Sequence, residues 1–438
     1  MNRLLDFAEK KERLALWGTL ALAFALRAAY GIAATRVAPW SDMLDWDKAR
    51  QALAYGLPYS ASWTPAYPAA LALVTKVFGE NYAAFYAANA AFSAATCALV
   101  FFIAKAAFGR RTAWLALLFS VFYIDMIWYS GVMLAETMGM LLLAFTAWLV
   151  VKDKHPALAG LAFGLTCMVK GLFLLALPAF LLWIWYKYRS EGWVRKAVYF
   201  SLLAGLAMLP WNLRNMRVHK EPVLLEPHWA LAIFDGHNPY STGGCDYLFL
   251  GTDYGKFYTD PNLSMVEKGR ICKQKSLEFA LNNPLREVQL TLLKASKHLV
   301  FTTSFVLYRT DYPLRKTFFT LSALQNMVLF PLCVIGLVFA FRDRNAFGFS
   351  LIILFFVGVF ITLFAAEVRK RMPFVPFLLV LAAHGALLLP GLLEKVRARD
   401  TADIRGRLVT AGAACALLYA NFFYRIAIRW QDVLGRFN

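Results

Sequence analysis

Long apolar runs alternate with short charged gaps along nearly the whole chain. Such runs can be drawn near 14–35, 82–104, 112–130, 133–151, 157–176, 177–188, 197–211, 319–341, 346–366, 374–392 and 408–426. Several match the roughly 20 residues an α-helix needs to cross a hydrocarbon core of about 30 Å. The pattern predicts an all-α integral membrane protein with about eleven transmembrane helices, organised as one polytopic domain over residues 1–438. The first run is long enough to span and is not followed by a small-residue cleavage site, so it is expected to be retained as the first span.

The gaps orient the spans. Arg3, Lys10, Lys11 and Arg13 precede the first run; Lys105, Arg110 and Arg111 follow the second; Lys152 and Lys154 follow the fourth. The basic stretches "WYKYRSEGWVRK", "FRDRN" and "EKVRARDTADIRGR" follow the sixth, eighth and tenth. If eleven spans alternate, all of these fall on one side, which the excess of Lys and Arg assigns to the cytoplasm together with the amino terminus. One short gap breaks the rule. "EVRKRMP" puts Arg369, Lys370 and Arg371 on the opposite side, beside apolar helix ends where charge is costly. A functional use outranks the alternative, helix-end side chains snorkelling to the interface.

Two long segments share that outer side. Residues 36–81 contain "DKARQALAYG" and "PAALALVTKVFG", apolar at helical spacing, which predicts amphipathic helices on the membrane surface. Residues 212–318 form a large outer loop punctuated by Gly, Asn and Pro, ending in the helical stretch "PLREVQLTLLKASKHLVF".

Composition narrows the function. The chain is 60% hydrophobic, with mean hydropathy +0.52 and formal net charge +19. The charges flank apolar runs and no soluble basic domain is present, so nucleic acid is set aside as a partner. Membrane lipid headgroups or a phosphorylated substrate fit better. Six cysteines show no CxxC, and there is no HExxH, no P-loop and no DxD in the outer loops, so neither a metal nor a cofactor is expected. Cys97, Cys167, Cys333 and Cys415 lie in apolar runs; Cys245 and Cys272 share the large loop and are candidates for a disulfide there.

Candidate chemistry gathers at outer helix ends. In "SDMLDWDK", Asp42 lies nearest the first span and is the candidate general base. Ser41 before it is a candidate helix cap, and Asp45 shares its helical face. Glu136 is an isolated acid in the hairpin between the third and fourth runs. Lys170 ends the fifth run, Arg214 and Asn215 end the seventh, and Arg369 and Arg371 end the ninth. Cations at three helix ends form a candidate anion site, with Glu367 placed to orient one arginine. If the donor is a lipid-linked sugar phosphate, its leaving group is already anionic. Arginine then suits the phosphate oxygens, and one carboxylate suffices to accept a proton, unlike the paired carboxylates of glycoside hydrolysis.

These stretches, in their order, resemble the GT-C glycosyltransferases that use polyprenyl-phosphate sugars, among them protein O-mannosyltransferases and the lipid A aminoarabinose transferase. "SDMLDW" is similar to the acid after the family's first span, and "YGLPYSASWTPAYPAALALVTKVFG" to its first outer loop. "LAET" and "LAGLAFGLTCMVKG" are similar to the openings and ends of middle spans. "PWNLRN", "FDGHNPYSTGG" and "EVRKRMPFVPFLLVLAA" complete the series.

The resemblance implies an inverting transfer with Asp42 as base and the donor phosphate held by basic residues, here Arg369, Arg371, Lys170 and Arg214. Asp45, Glu136, Asn215, His237 and Asn238 are the candidates for sugar or acceptor contacts, His237 standing where the family more often has Asn. It implies a polyprenyl-phosphate-linked donor and a glycan, lipid or protein acceptor. The expected setting is a bacterial inner membrane with the active site on the periplasmic face. The soluble carboxyl-terminal domain of some relatives has no counterpart expected after the last run. A secondary transporter or flippase of an anionic or lipid-linked substrate is the rival reading. It lacks support from inverted repeats or paired broken helices.

Overall fold

The computed structural model describes residues 2–59, 63–153, 155–302 and 311–428, with side chains from residue 11 onward. Lys154 and the side chains of Arg3 and Lys10 lie outside the described residues. The first third contains α1 (Asn2–Ala34), α2 (Asp42–Tyr55), α3 (Ala66–Phe78), α4 (Tyr82–Phe108), α5 (Arg110–Val121), α6 (Ile124–Trp128) and α7 (Glu136–Val151). Then come α8 (Pro156–Val169), α9 (Leu177–Tyr188), α10 (Trp193–His219) and, in the large loop, α11 (Trp229–Phe234), α12 (Lys256–Thr259), α13 (Met265–Asn282) and α14 (Pro284–His298). The chain closes with α15 (Arg315–Ala340), α16 (Arg344–Thr362), α17 (Val375–Arg397) and α18 (Arg405–Ile428). Among the described residues there is no strand; one parallel bridge joins Gly244 to Ala366.

The fold is all-helical, as expected, and the protein is a multi-pass membrane protein. Among the described residues, seven helical segments are long and apolar enough to cross a bilayer, or eight if α5 and the stretch from Ile124 to Gly131, bent by 51°, count as one span. The expected eleven is not reached on this measure, and the reason is physical. With 16 and 14 residues, α7 and α8 are only about 24 and 21 Å long at ~1.5 Å per residue. The 27-residue α10 is long enough but carries Arg195, Lys196, Arg214 and Arg217. Both stretches expected to be surface helices are helical, as α2 and α3, and are clamped by Arg50, which bonds Asp47 at 2.8 Å and Glu80 at 2.7 Å.

The α5–α6 bend leaves carbonyls without helical partners, and in a membrane every such group must be satisfied internally. Arg27, fully buried in α1, does this. It donates to the carbonyls of Ser120 at 2.7 Å and Val121 at 3.0 Å, and to Ser93 Oγ at 2.7 Å. This cation at mid-span is therefore a cap for a broken helix.

Small residues set how closely the helices approach. Gly336 of α15 faces the Leu381 carbonyl of α17, and Gly385 of α17 faces the Leu332 carbonyl of α15; a Cβ at either would collide with backbone. Gly336→Ala and Gly385→Ala are each expected to cost about 1–3 kcal/mol, read as a lower thermal midpoint in detergent. Gly358→Ala, inside α16 where the added Cβ meets open space, should hold or raise the midpoint, since Ala favours the helix over Gly.

Candidate functional site

The anomalous cations lie where α16 ends and α17 has not begun. The intervening segment Val368–Phe374 is a 3-10 helix. With three residues per turn, three consecutive side chains leave in three directions. Arg369 reaches Asp42 Oδ2 at 2.7 Å and Glu367 Oε1 at 2.7 Å. Lys370 turns back to the Ala365 carbonyl at 2.6 Å. Arg371 enters the protein, bonding Asp125 Oδ2 at 2.6 Å and the Val300 carbonyl at 2.9 Å. Extended geometry, with Arg369 and Arg371 on one face, is thus not what the chain adopts.

Asp42 opens α2. Ser41 does not cap that helix; its φ of +49° turns the chain instead, and no cap hydrogen bond forms. Burial pushes the Asp42 carboxyl up, but the Arg369 charge and hydrogen bond, with smaller help from Lys170 and His228, hold it below the usual carboxylate range. Asp42 is therefore ionised at neutral pH.

A second pair stands beside it. Glu136 opens α7, is buried, and receives Lys170 Nζ at 3.2 Å. Lys170 occupies the extended break between α8 and the 3-10 turn Gly171–Ala176. Glu136 is within electrostatic reach of Arg369, and Lys170 of Asp42. Of the four cations expected at one anion site, these two gather around Asp42. They face Asp42, Glu136 and Glu367, so the cluster carries no net positive charge.

Arg214 lies apart from this cluster. It donates to the Tyr59 carbonyl and stacks over Trp211 at 4.7 Å. Asn215 is fully buried and donates to the Leu225 carbonyl at 2.9 Å. Asp45, one helical turn past Asp42, lines an open cleft of about 300 Å³ with Lys48, Tyr59, Trp63 and His228. His237 and Asn238 belong to a third group. His237 Nδ1 meets Glu287 at 2.8 Å and Nε2 meets Lys294 Nζ at 2.9 Å, while Asn238 donates to the Phe234 carbonyl at 2.8 Å. Cys245 and Cys272 are both free thiols; Cys272 is buried among Leu231, Phe234 and Phe249.

Sequence reasoning missed Glu226 and His228. Leu225, at φ +60°, is gripped through its N–H by Asn212 at 2.9 Å and through its carbonyl by Trp211 at 2.7 Å and Asn215. That grip turns Glu226 in toward Lys170 and stacks His228 on Trp63 at 5.0 Å. Burial lifts the Glu226 carboxyl to about 7, against Lys170 and the backbone N–H groups of Gly171 and Thr64, which lower it. No spacing in the sequence signals this, because the signal is a three-dimensional knot around one leucine.

Two outcomes follow from these charges. Arg371→Ala strands the Asp125 carboxylate and is expected to destabilise the fold by about 3–5 kcal/mol, seen as a lower detergent-solubilised midpoint. Arg371→Met combined with Asp125→Leu should recover most of that loss. Glu226 holds a proton in the folded chain that the unfolded chain releases above its ordinary value near 4.5. Its contribution to stability is full below that value and lost as pH rises through about 7. Glu226→Gln should flatten the fall in thermal midpoint over this window.

Known proteins supply an independent comparison. Residues 62–212, about a third of the chain, match the family described as dolichyl-phosphate-mannose-protein mannosyltransferase. No curated protein matches the chain. Among solved structures, the Archaeoglobus fulgidus oligosaccharyltransferase in its apo form superposes with a TM-score of 0.50 at 13% identity, over 93% of this chain and 55% of that one. The same enzyme tethered to an acceptor peptide gives 0.50 at 13%, over 93% and 54%. ArnT from Cupriavidus metallidurans bound to undecaprenyl phosphate gives 0.39 at 13%, over 78% and 72%. The chain thus spans about 55% of the length of the oligosaccharyltransferase whose fold it shares. The resemblance to GT-C glycosyltransferases is borne out by a family match over residues 62–212 and by the shared membrane fold.

Proposed function

We propose that the protein is an inverting glycosyltransferase that moves a sugar from a polyprenyl-phosphate donor to an acceptor hydroxyl. The reaction site faces the periplasm of a bacterial inner membrane, with the amino terminus in the cytoplasm. The observation that carries this reading is the Asp42–Arg369 pair, 2.7 Å apart and partly exposed at the start of α2. The family match over residues 62–212, whose description names a polyprenyl-type phosphate sugar as donor, supports the same reading.

In this mechanism the donor phosphate draws Arg369 away from Asp42, with Lys170 as the second cation. The acceptor oxygen attacks the anomeric carbon opposite the leaving group, and its proton passes to Asp42. The anomeric carbon–oxygen bond breaks, and the polyprenyl phosphate departs with the electron pair. Because the leaving group already carries charge, the cations supply transition-state stabilisation and no second acid is needed. The low proton affinity of Asp42 in the Arg369 pair rises once the arginine is engaged by phosphate, so donor binding switches the base on. Asp45 and Glu136 remain as contacts to the sugar or acceptor. Arg371 and Arg214 serve by holding the segments that carry Arg369 and Tyr59.

Purified protein incubated with a radiolabelled polyprenyl-phosphate sugar should release the lipid phosphate. Asp42→Asn is expected to lower turnover by about 10²–10⁴-fold with the fold intact. Arg369→Ala should raise the KM for the donor. Uptake of the lipid-linked sugar into proteoliposomes without cleavage would favour the transporter reading instead, and full turnover in Asp42→Asn would remove Asp42 as the base.

A further inference from the structure

The large loop ends in a helix built the wrong way round for a water-facing position. Along α14, Leu290, Lys294 and His298 are buried, spaced four apart on one face. Leu285, Val288 and Leu292 lie on the opposite face and are 59–80% exposed. Leu281, just before the break at Asn283, continues the four-three-four spacing and is 71% exposed. Polar groups thus point into the protein and an apolar ridge points out.

The inward face explains half of this inversion. Lys294 bonds His237 at 2.9 Å and the Thr362 carbonyl at the end of α16 at 3.3 Å. Glu287 closes the chain on the other nitrogen of His237 at 2.8 Å. Burial pulls the Lys294 amine down to about 8, and burial with the Lys294 charge lowers the imidazole, so this buried set is held with little net charge. Lys294 and Glu287 thus each pair with one nitrogen of His237 inside.

The outward ridge has no such account within the chain, and its setting says what covers it. Immediately past α14, the Leu299 carbonyl accepts from Asn421 of α18 at 3.0 Å, and Ser296 Oγ donates to the same residue at 2.6 Å. Asn421 stands near the end of a helix whose own outward residues Leu417, Phe423 and Tyr424 are exposed. The α14 ridge is therefore anchored to the ends of α16 and α18, two helices long and apolar enough to cross a bilayer.

We propose that α14 is an interfacial helix, its ridge of Leu285, Val288 and Leu292 seated among the lipid acyl chains of the leaflet on the site's side of the membrane. The large loop is then partly a membrane-bound element and not wholly an aqueous one. Its amphipathicity is that of a helix lying in the interface plane, with the polar face turned to protein instead of water. The Val300 carbonyl just beyond the helix accepts from Arg371 at 2.9 Å. The depth of the ridge in the bilayer thus sets the level of the segment that carries Arg369. This assignment stands whether or not the protein transfers a sugar.

The test is photocrosslinking in the full-length protein, reconstituted into vesicles of phosphatidylcholine and phosphatidylglycerol. Benzoylphenylalanine replaces Leu285, Val288 or Leu292 in turn, with the exposed polar position Lys273 as control, and size-exclusion elution verifies each variant as folded. Irradiation should yield phospholipid adducts at all three ridge positions, with loss of adduct at position 273. Chain-to-chain products at the ridge would assign it to a second copy and overturn the proposal. So would an absence of adducts in variants that elute as folded protein, or equal adducts at position 273.

Discussion

The buried ion pair between Arg371 and Asp125 is the contact on which the site geometry rests. Both side chains are almost wholly excluded from solvent, at 2.6 Å. In such surroundings an unpaired charge is far costlier than a paired one, so the two segments that supply them cannot drift apart. One segment is α6, beyond the bend that Arg27 caps; the other is the 3-10 turn between α16 and α17. Ser322 adds a hydrogen bond to the same aspartate at 2.7 Å, tying α15 to the knot. With Arg371 pinned inside, Arg369 two residues earlier is forced toward Asp42.

The same logic of pairing runs through the segments around it. Arg369 meets Asp42 and Glu367, Lys170 meets Glu136, and Arg50 meets Asp47 and Glu80. Each cation is offset locally, so a chain of net charge +19 holds a site that is not strongly cationic. An anionic donor would gain access to Arg369 and Lys170 by competing with carboxylates. Under the proposed mechanism such competition would couple donor binding to release of the base, and a neutral sugar would lack the charge to draw Arg369 from Asp42.

Helical architecture was legible from the apolar runs because their length and uninterrupted character leave no other way to satisfy the backbone in lipid. Helices α2 and α3 were legible from their spacing. The number of spans was less so. Runs such as 133–151 and 157–176 became helices of 16 and 14 residues, since the chain spends residues on the turns that bring Glu136 and Lys170 together. Among the candidate site residues, Asp42, Glu136, Lys170 and Arg369 gather in one place: Asp42 and Glu136 open helices, Lys170 stands in the break after α8 and Arg369 in the break before α17. Arg214, Asn215 and Asn238 bind backbone carbonyls instead, and His237 pairs with Glu287 and Lys294.

The sequence by itself determined the all-helical membrane class of the protein, though not the number of its spans, and the anomaly at 367–373, because hydropathy and charge act locally and are read residue by residue. Tertiary structure alone decided which cation serves which purpose. A 3-10 turn sends Arg369, Lys370 and Arg371 three ways, and only the position of Asp125 and Asp42 in space makes one a structural tie and another a partner of the site. It also decided that α14 wears its apolar face outward. Helical spacing shows that two faces differ, but only the neighbours, Thr362 and Asn421 at the ends of membrane helices, settle which face meets lipid.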